Sequence, residues 1–218
     1  MRGYRIIVFC FLSIVLCPLT FAKVNADSIY NGTQIKLDIA SPILVPAVTK
    51  WQIQNYEMAV NVRLAKRYYP TFELGYAGGT TTQGDTLNYR GHGGFFRVGA
   101  DINPLKKHPE SPHAMLIGVR LGTSVQQIHQ NNTQIAGLAV NKVAADCWGE
   151  IVAGCQVEIA KVNNTSFYMG WMGRFKCLFT RSAPTDSAEE LQAAIYIPGF
   201  GRRDNIGWGA SYYLGWRF

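Results

Sequence analysis

Beyond its first 26 residues the chain has no apolar run approaching the ~20 residues that a membrane-spanning helix needs, so a crossing of lipid would have to be made by strands. Histidine is scarce: His92, His108, His113 and His129 fall in different loops or strand ends without ligand-like spacing, and no metal or other cofactor is expected. The glycine run Gly91-His92-Gly93-Gly94 has no helix pattern behind it, so it reads as a bend in a strand and not as a phosphate loop. Charge is thin as well, at 16% of residues. Without Arg2, Arg5 and Lys23, which lie in the leader described next, 18 Lys and Arg face 14 Asp and Glu, a net of +4. These cations are scattered among acids with no basic stripe, which argues against nucleic acid as a partner.

What is present begins with that leader. Arg2 and Arg5 precede an apolar stretch over residues 6–19, and Val24-Asn25-Ala26 is a small-residue exit. The pattern predicts a secretory signal peptide over 1–26, cleaved near Ala26, and a single exported domain over 27–218. Cys10 and Cys17 would leave with it, and neither has lipoprotein context.

At the other end, residues 204–218 alternate strictly. Ile206, Trp208, Ala210, Tyr212, Leu214, Trp216 and Phe218 share one face, and Asn205, Gly207, Gly209, Ser211, Tyr213, Gly215 and Arg217 the other. A strand with one aromatic face and one small or polar face suits a wall between lipid and a polar interior. Ending on an aromatic residue, it resembles the terminal strand by which bacterial outer-membrane barrels are recognised for insertion, with Tyr212, Leu214, Trp216 and Phe218 as that signal and the barrel-assembly machinery as its reader.

Eight segments show the period of a strand: 33–40, 55–66, 71–79, 89–103, 114–127, 145–161, 166–180 and 204–218. The links after the odd strands are long (41–54, 80–88, 128–144, 181–203) and those after the even strands short (67–70, 104–113, 162–165). Alternating links and an even strand count predict an all-β, eight-stranded antiparallel up-and-down transmembrane barrel, with both termini periplasmic and four loops outside.

If the apolar parity meets lipid, the other parity fills the barrel. It carries Lys36, Asp38, Glu57, Asn61, Arg63, Glu73, Arg97, Asp101, Arg120, Gln126, Glu150, Gln156, Glu158, Arg174, Lys176, Asn205 and Arg217. A barrel of eight strands holds only its own side chains, so these are expected to form a polar, ion-paired core and not a water-filled channel. The aromatics Trp148, Phe167, Tyr168, Trp171, Trp208, Tyr212, Trp216 and Phe218 are expected at headgroup level, as are Tyr68, Tyr69 and Phe72. The loop aromatics Tyr196 and Phe200 are candidates for a carbohydrate platform. A hairpin register in which partner numbers sum to 324 would set Cys147 opposite Cys177 as a candidate disulfide, with free lipid-facing cysteine as the alternative.

The stretch from Trp148-Gly149-Glu150 through Gly170-Trp171-Met172-Gly173-Arg174-Phe175-Lys176, then Ile197-Pro198-Gly199-Phe200-Gly201 and the closing Tyr213-Leu214-Gly215-Trp216-Arg217-Phe218, resembles an outer-membrane barrel family of unknown function common in Bacteroidota. Phe72-Glu73-Leu74-Gly75-Tyr76 and Arg97-Val98-Gly99-Ala100-Asp101-Ile102-Asn103 share that resemblance. It implies an architecture like the OmpA/OmpX barrels and residence in the outer membrane, and carries no activity. The eight-stranded lipid A deacylases place a His and a Ser two residues apart. The nearest match here, His129-Gln130-Asn131-Asn132, has Asn in place of the nucleophile, so no catalytic residue is expected. A palmitoyltransferase-like pair of His92 and Ser124 is the residual alternative. The expected role is structural, or loop-mediated adhesion to an extracellular or envelope partner, with an enzyme on lipid A or phospholipid and a narrow porin-like channel as the other classes.

Overall fold

A computed structural model describes residues 30–49, 52–83, 87–105, 111, 113–132, 139–180, 196–202 and 204–218. The expected signal peptide over 1–26, His108 and all of residues 181–195 lie outside the described residues. Eight strands close one barrel: β1 (Tyr30–Asp38), β2 (Ile53–Leu64), β3 (Tyr68–Gln83), β4 (Leu87–Ile102), β5 (Ala114–Asn132), β6 (Ala139–Val162), β7 (Thr165–Thr180) and the terminal β10 (Ile206–Arg217). Each pairs antiparallel with its sequence neighbour, and β1 closes on β10. Where neighbouring strands pair, main-chain groups are satisfied without a helix scaffold.

The turns follow local chemistry. Ala65 and Lys66 take left-handed conformations between β2 and β3, and Asn163 does so at φ 53° in the two-residue link from β6 to β7. Asn tolerates that region because its short side chain bonds locally. This tight turn pairs Val162 with Thr165, and two later shifts in the ladder leave Cys147 opposite Thr180 and Cys177 opposite Gly149. The candidate Cys147–Cys177 disulfide is therefore corrected: its register is wrong, the Cys147 N–H donates to Thr180 Oγ1 at 3.0 Å, and all three described cysteines are free.

Several strands outrun the sequence pattern. β3 and β4 extend as a ribbon up to Gln83 and Leu87, and β5 and β6 consume most of the link expected over 128–144. Thr, Gln and Asn there resemble loop composition, yet β3, β4, β5 and β6 rise together as four paired strands, and pairing their backbones needs no apolar face. The link expected over 41–54 holds a helix, α1 (Ser41–Val48), and the far end of loop 181–203 holds a hairpin, β8 (Tyr196–Ile197) with β9 (Gly201–Arg202).

The wall is uneven beside α1. β1 pairs with β10 only from Gln34↔Arg217 to Asp38↔Tyr213, and with β2 only up to Leu37↔Met58. Both neighbours rise several residues higher, β10 to Ile206 and β2 to Ile53. Above Asp38 the first strand gives way to α1, which packs along β2.

Candidate functional site

Burial alternates along the strands, and the charged parity is inside. At mid-barrel Glu73 accepts from Arg97 Nη1 at 2.7 Å, Arg120 Nε at 3.0 Å and Arg174 Nη1 at 2.9 Å. Glu57 accepts from Arg174 Nη2 at 2.8 Å and lies 2.9 Å from Arg97 Nη1. Asp101 takes Arg120 Nη2 at 2.7 Å. Glu150 accepts from Arg174 Nη1 at 3.0 Å and from the Trp148 indole N–H at 2.6 Å, with Arg97 Nε 2.9 Å away. Four carboxylates thus meet three guanidiniums, and Lys176, cross-strand from Glu150, adds a fourth cation. The planar fork of arginine lets each residue bridge several strands, so the network ties β2, β3, β4, β5, β6 and β7 together across the lumen.

Above this layer the β8–β9 hairpin folds back into the barrel. Its bend, Ile197, Pro198, Gly199 and Phe200, is buried. The Gly199 carbonyl accepts from Arg97 Nη2 at 2.9 Å and Lys176 Nζ at 2.7 Å, and the Phe200 carbonyl accepts from Lys176 Nζ at 3.1 Å. The Phe200 ring meets Trp148 edge-on, centroids 5.9 Å apart, within an apolar cluster that includes Phe95, Ala77 and Ile197. Gly199 has φ 76°, and a Cβ there would sit 2.5 Å from the Phe95 ring, so only glycine brings the bend this deep. Desolvation by the same insertion pushes the Tyr196 hydroxyl up to about 12. The hairpin is a plug, seated on one spare donor of Arg97 and two of Lys176.

Below the network lie the apolar side chains Tyr69, Ala114, Leu116, Val152, Met172 and Tyr213. The space left near the centre is a cavity of about 20 Å³, room for about one water molecule. Among the described residues no cluster of His, Cys, Asp and Glu is arranged to hold a metal.

A family model for a domain of unknown function, DUF6048, matches residues 3–217. The chain belongs to the DUF6048 family. No curated protein and no solved structure matches it.

In this DUF6048 chain the interior charges expected from parity divide into groups. Glu57, Glu73, Arg97, Asp101, Arg120, Glu150 and Arg174 meet in one cluster, and Lys176 serves the plug. Arg63 instead reaches the Lys66 carbonyl at 3.4 Å in the β2–β3 turn, while Arg217 and Glu158 form a looser 4.0 Å contact toward the turn end. Asn205 is exposed. On the terminal strand Tyr212, Leu214 and Phe218 face outward and Trp216 is half-buried.

Other placements differ from expectation. Trp148, Tyr168 and Tyr69 sit inside the barrel and not at headgroup level, because inner-wall glycines give their rings room: a side chain at Gly122 would collide with the Trp148 indole. Phe200 and the loop-four bend are not an exposed platform, since they are buried in the lumen. His92 stacks on His129 with centroids 5.7 Å apart, while Ser124 is buried on the inner face of β5. The ladder sets His92 opposite Gln127, which is on the exposed parity, so His92 and Ser124 lie on opposite sides of the wall and do not form a nucleophile and base. Tyr213 is buried, on the inner face that alternation gave it, but sequence reasoning missed Asp146, buried beside Gln126 Nε2 at 3.3 Å, and the inward ring of Phe95. Strict parity carried from Phe96 would have found the Phe95 ring.

Proposed function

We propose that the chain is an outer-membrane barrel, in keeping with its resemblance to the Bacteroidota barrels, whose interior is closed by its ion network and plug. In this reading it acts structurally or by presenting its outer loops to an envelope or extracellular partner. The observation that carries the membrane placement is the inversion of polarity across the wall. Glu73, Arg97 and Arg120 are 1–2% exposed inside, while Phe72, Leu74, Phe96 and Val98 on the same strands or their neighbours are 42–50% exposed outside. Water would penalise such a continuous apolar belt, and lipid would stabilise it. The exported leader and the aromatic terminal strand point the same way.

Closure by the plug supports loop presentation over transport, and a central cavity of about 20 Å³ is far below the room an acyl chain needs, which weighs against an enzyme built around a lipid tail in the lumen. The test is planar-bilayer conductance of residues 27–218 folded into lipid, with a heat-modifiable gel band as the control for folding. A silent membrane is expected. Reproducible single-channel steps would replace this reading with a narrow channel.

A further inference from the structure

Arg90, His92 and His129 cluster on one side of the upper outer wall. Arg90 of β4 pairs directly across from His129 of β5, which sets their Cβ atoms about 5 Å apart. His92 lies diagonally beside His129, its ring stacked on that imidazole with centroids 5.7 Å apart, and Tyr76 of β3 flanks His92 at 6.5 Å. These side chains point outward, since they share parity with the exposed Leu74, Phe96 and Val125 of the same strands. The outward neighbours Gly78, Thr80, Gln127 and Val143 include no acid.

The clustering is local. Among the described residues no other outward strand position in the upper half of the wall carries Arg, Lys or His, and β7 and β10 reach the same end with Phe179, Trp208 and Ile206 exposed. A general need for basic groups at the water boundary would spread them around the ring. Height also selects the ligand. From exposed Ile102 at the foot of β4 to His92 the strand climbs about 25 Å, at ~3.3 Å per residue and roughly 40° of tilt, which is the height of the apolar band of an outer-membrane barrel. Arg90 and His129 therefore stand just above that band, where head groups begin. A metal ion is disfavoured, because no third ligand joins the two imidazoles among the described residues and the Arg90 guanidinium would sit beside it. A guanidinium fork and two imidazoles instead supply N–H donors suited to the several oxygens of a phosphate.

We propose that Arg90, His92 and His129 bind the phosphate of a lipid in the outer leaflet, with Arg90 forking onto two of its oxygens and the acyl chains descending past Tyr76, Phe96 and Val125. The inference rests on the membrane placement proposed above, with the long links outside. Gly94, directly below His92, adds no side chain, and a Cβ there would meet only the Gly75 carbonyl at 3.8 Å, so the wall is bare where the body of the head group lies. A lipid and not free phosphate is the occupant because the apolar belt starts immediately beneath the cluster, and chains held along that belt add affinity that exposed donors alone lack.

The test folds residues 27–218 into phosphatidylcholine vesicles doped with phosphatidic acid or with diacylglycerol of the same chains, releases the barrel into mild detergent and counts retained lipid by native mass spectrometry. Phosphatidic acid is expected to stay bound and diacylglycerol to be lost. Arg90→Gln should lower retention about fivefold, the share of one basic group at a lipid surface, and Arg90→Lys should keep most of it. Lys161→Gln, which removes an exposed cation at the opposite end of the barrel, should change nothing. Excess inorganic phosphate should leave the lipid in place. Equal retention of both lipids, undiminished retention by a heat-modifiable barrel carrying Arg90→Gln and His92→Gln, an equal loss from Lys161→Gln, or displacement by inorganic phosphate overturns the proposal. A chain that washes from the vesicles in alkali overturns the membrane placement first, whereas an inserted barrel without the preference overturns this site alone.

Discussion

At single residues, the interior charges differ greatly in what they contribute. Glu73 is buried and accepts from three arginines, whereas Glu158 meets Arg217 at 4.0 Å where both side chains are 17–18% exposed. Removing one member of a buried pair leaves the remaining charges without compensation, so Glu73→Gln is expected to destabilise the folded barrel by about 3–5 kcal/mol. Glu158→Gln, in a looser and wetter pair, should cost less than about 1 kcal/mol. Urea titration of the heat-modifiable species in vesicles measures both, and equal midpoints would refute the central role given to Glu73. Both residues were readable from parity as inward-facing. Their difference was not, because it depends on which strands the barrel brings across the lumen.

Among the elements, the plug is the part whose sequence was most misleading. Ile197-Pro198-Gly199-Phe200-Gly201 lies in the longest link between barrel strands, 181–203, where glycine and proline normally mark an exposed turn. Its insertion follows from three complementary features: carbonyls aimed at Arg97 and Lys176, a Phe ring against Trp148, and a glycine thin enough to pass Phe95. Phe200→Ala removes the apolar anchor, a loss on the order of 3–5 kcal/mol for a large core side chain. Amide hydrogen exchange over residues 196–202 should then accelerate strongly, while the paired strands β3 to β7 keep their protection. Unchanged exchange in the hairpin would mean that the carbonyl contacts alone hold it. α1 was likewise hidden, since an eight-residue segment with two prolines carries little helical signal.

For the whole molecule, the decisive property is which face of the wall is apolar. In the proposed membrane placement outward positions tolerate hydrocarbon and not charge, so Val98→Arg, at a position 42% exposed, should cost about 2–4 kcal/mol near the bilayer midplane. The same substitution in a soluble barrel would be nearly neutral. Folding yield and urea midpoint in vesicles separate the two, and a neutral outcome would remove the membrane belt. The central network and the plug together then account for a barrel that is closed although its wall is complete only below Asp38.

Strand count, antiparallel order and the inward or outward parity of most residues were legible in the chain, because side chains alternate with period two and turn chemistry is local. Glu57, Arg97 and Arg174 could be assigned to the lumen on that ground alone. Register, the plug and the early end of β1 were not legible. A bulge or a two-residue turn shifts every pairing beyond it, which is why Cys147 faces Thr180 and not Cys177. The seat of Phe200 on Trp148, and the early end of the β1–β10 pairing at Asp38, arise from contacts between residues far apart in sequence. Periodicity reports on each strand in isolation, whereas those features exist only once eight strands have closed on one another.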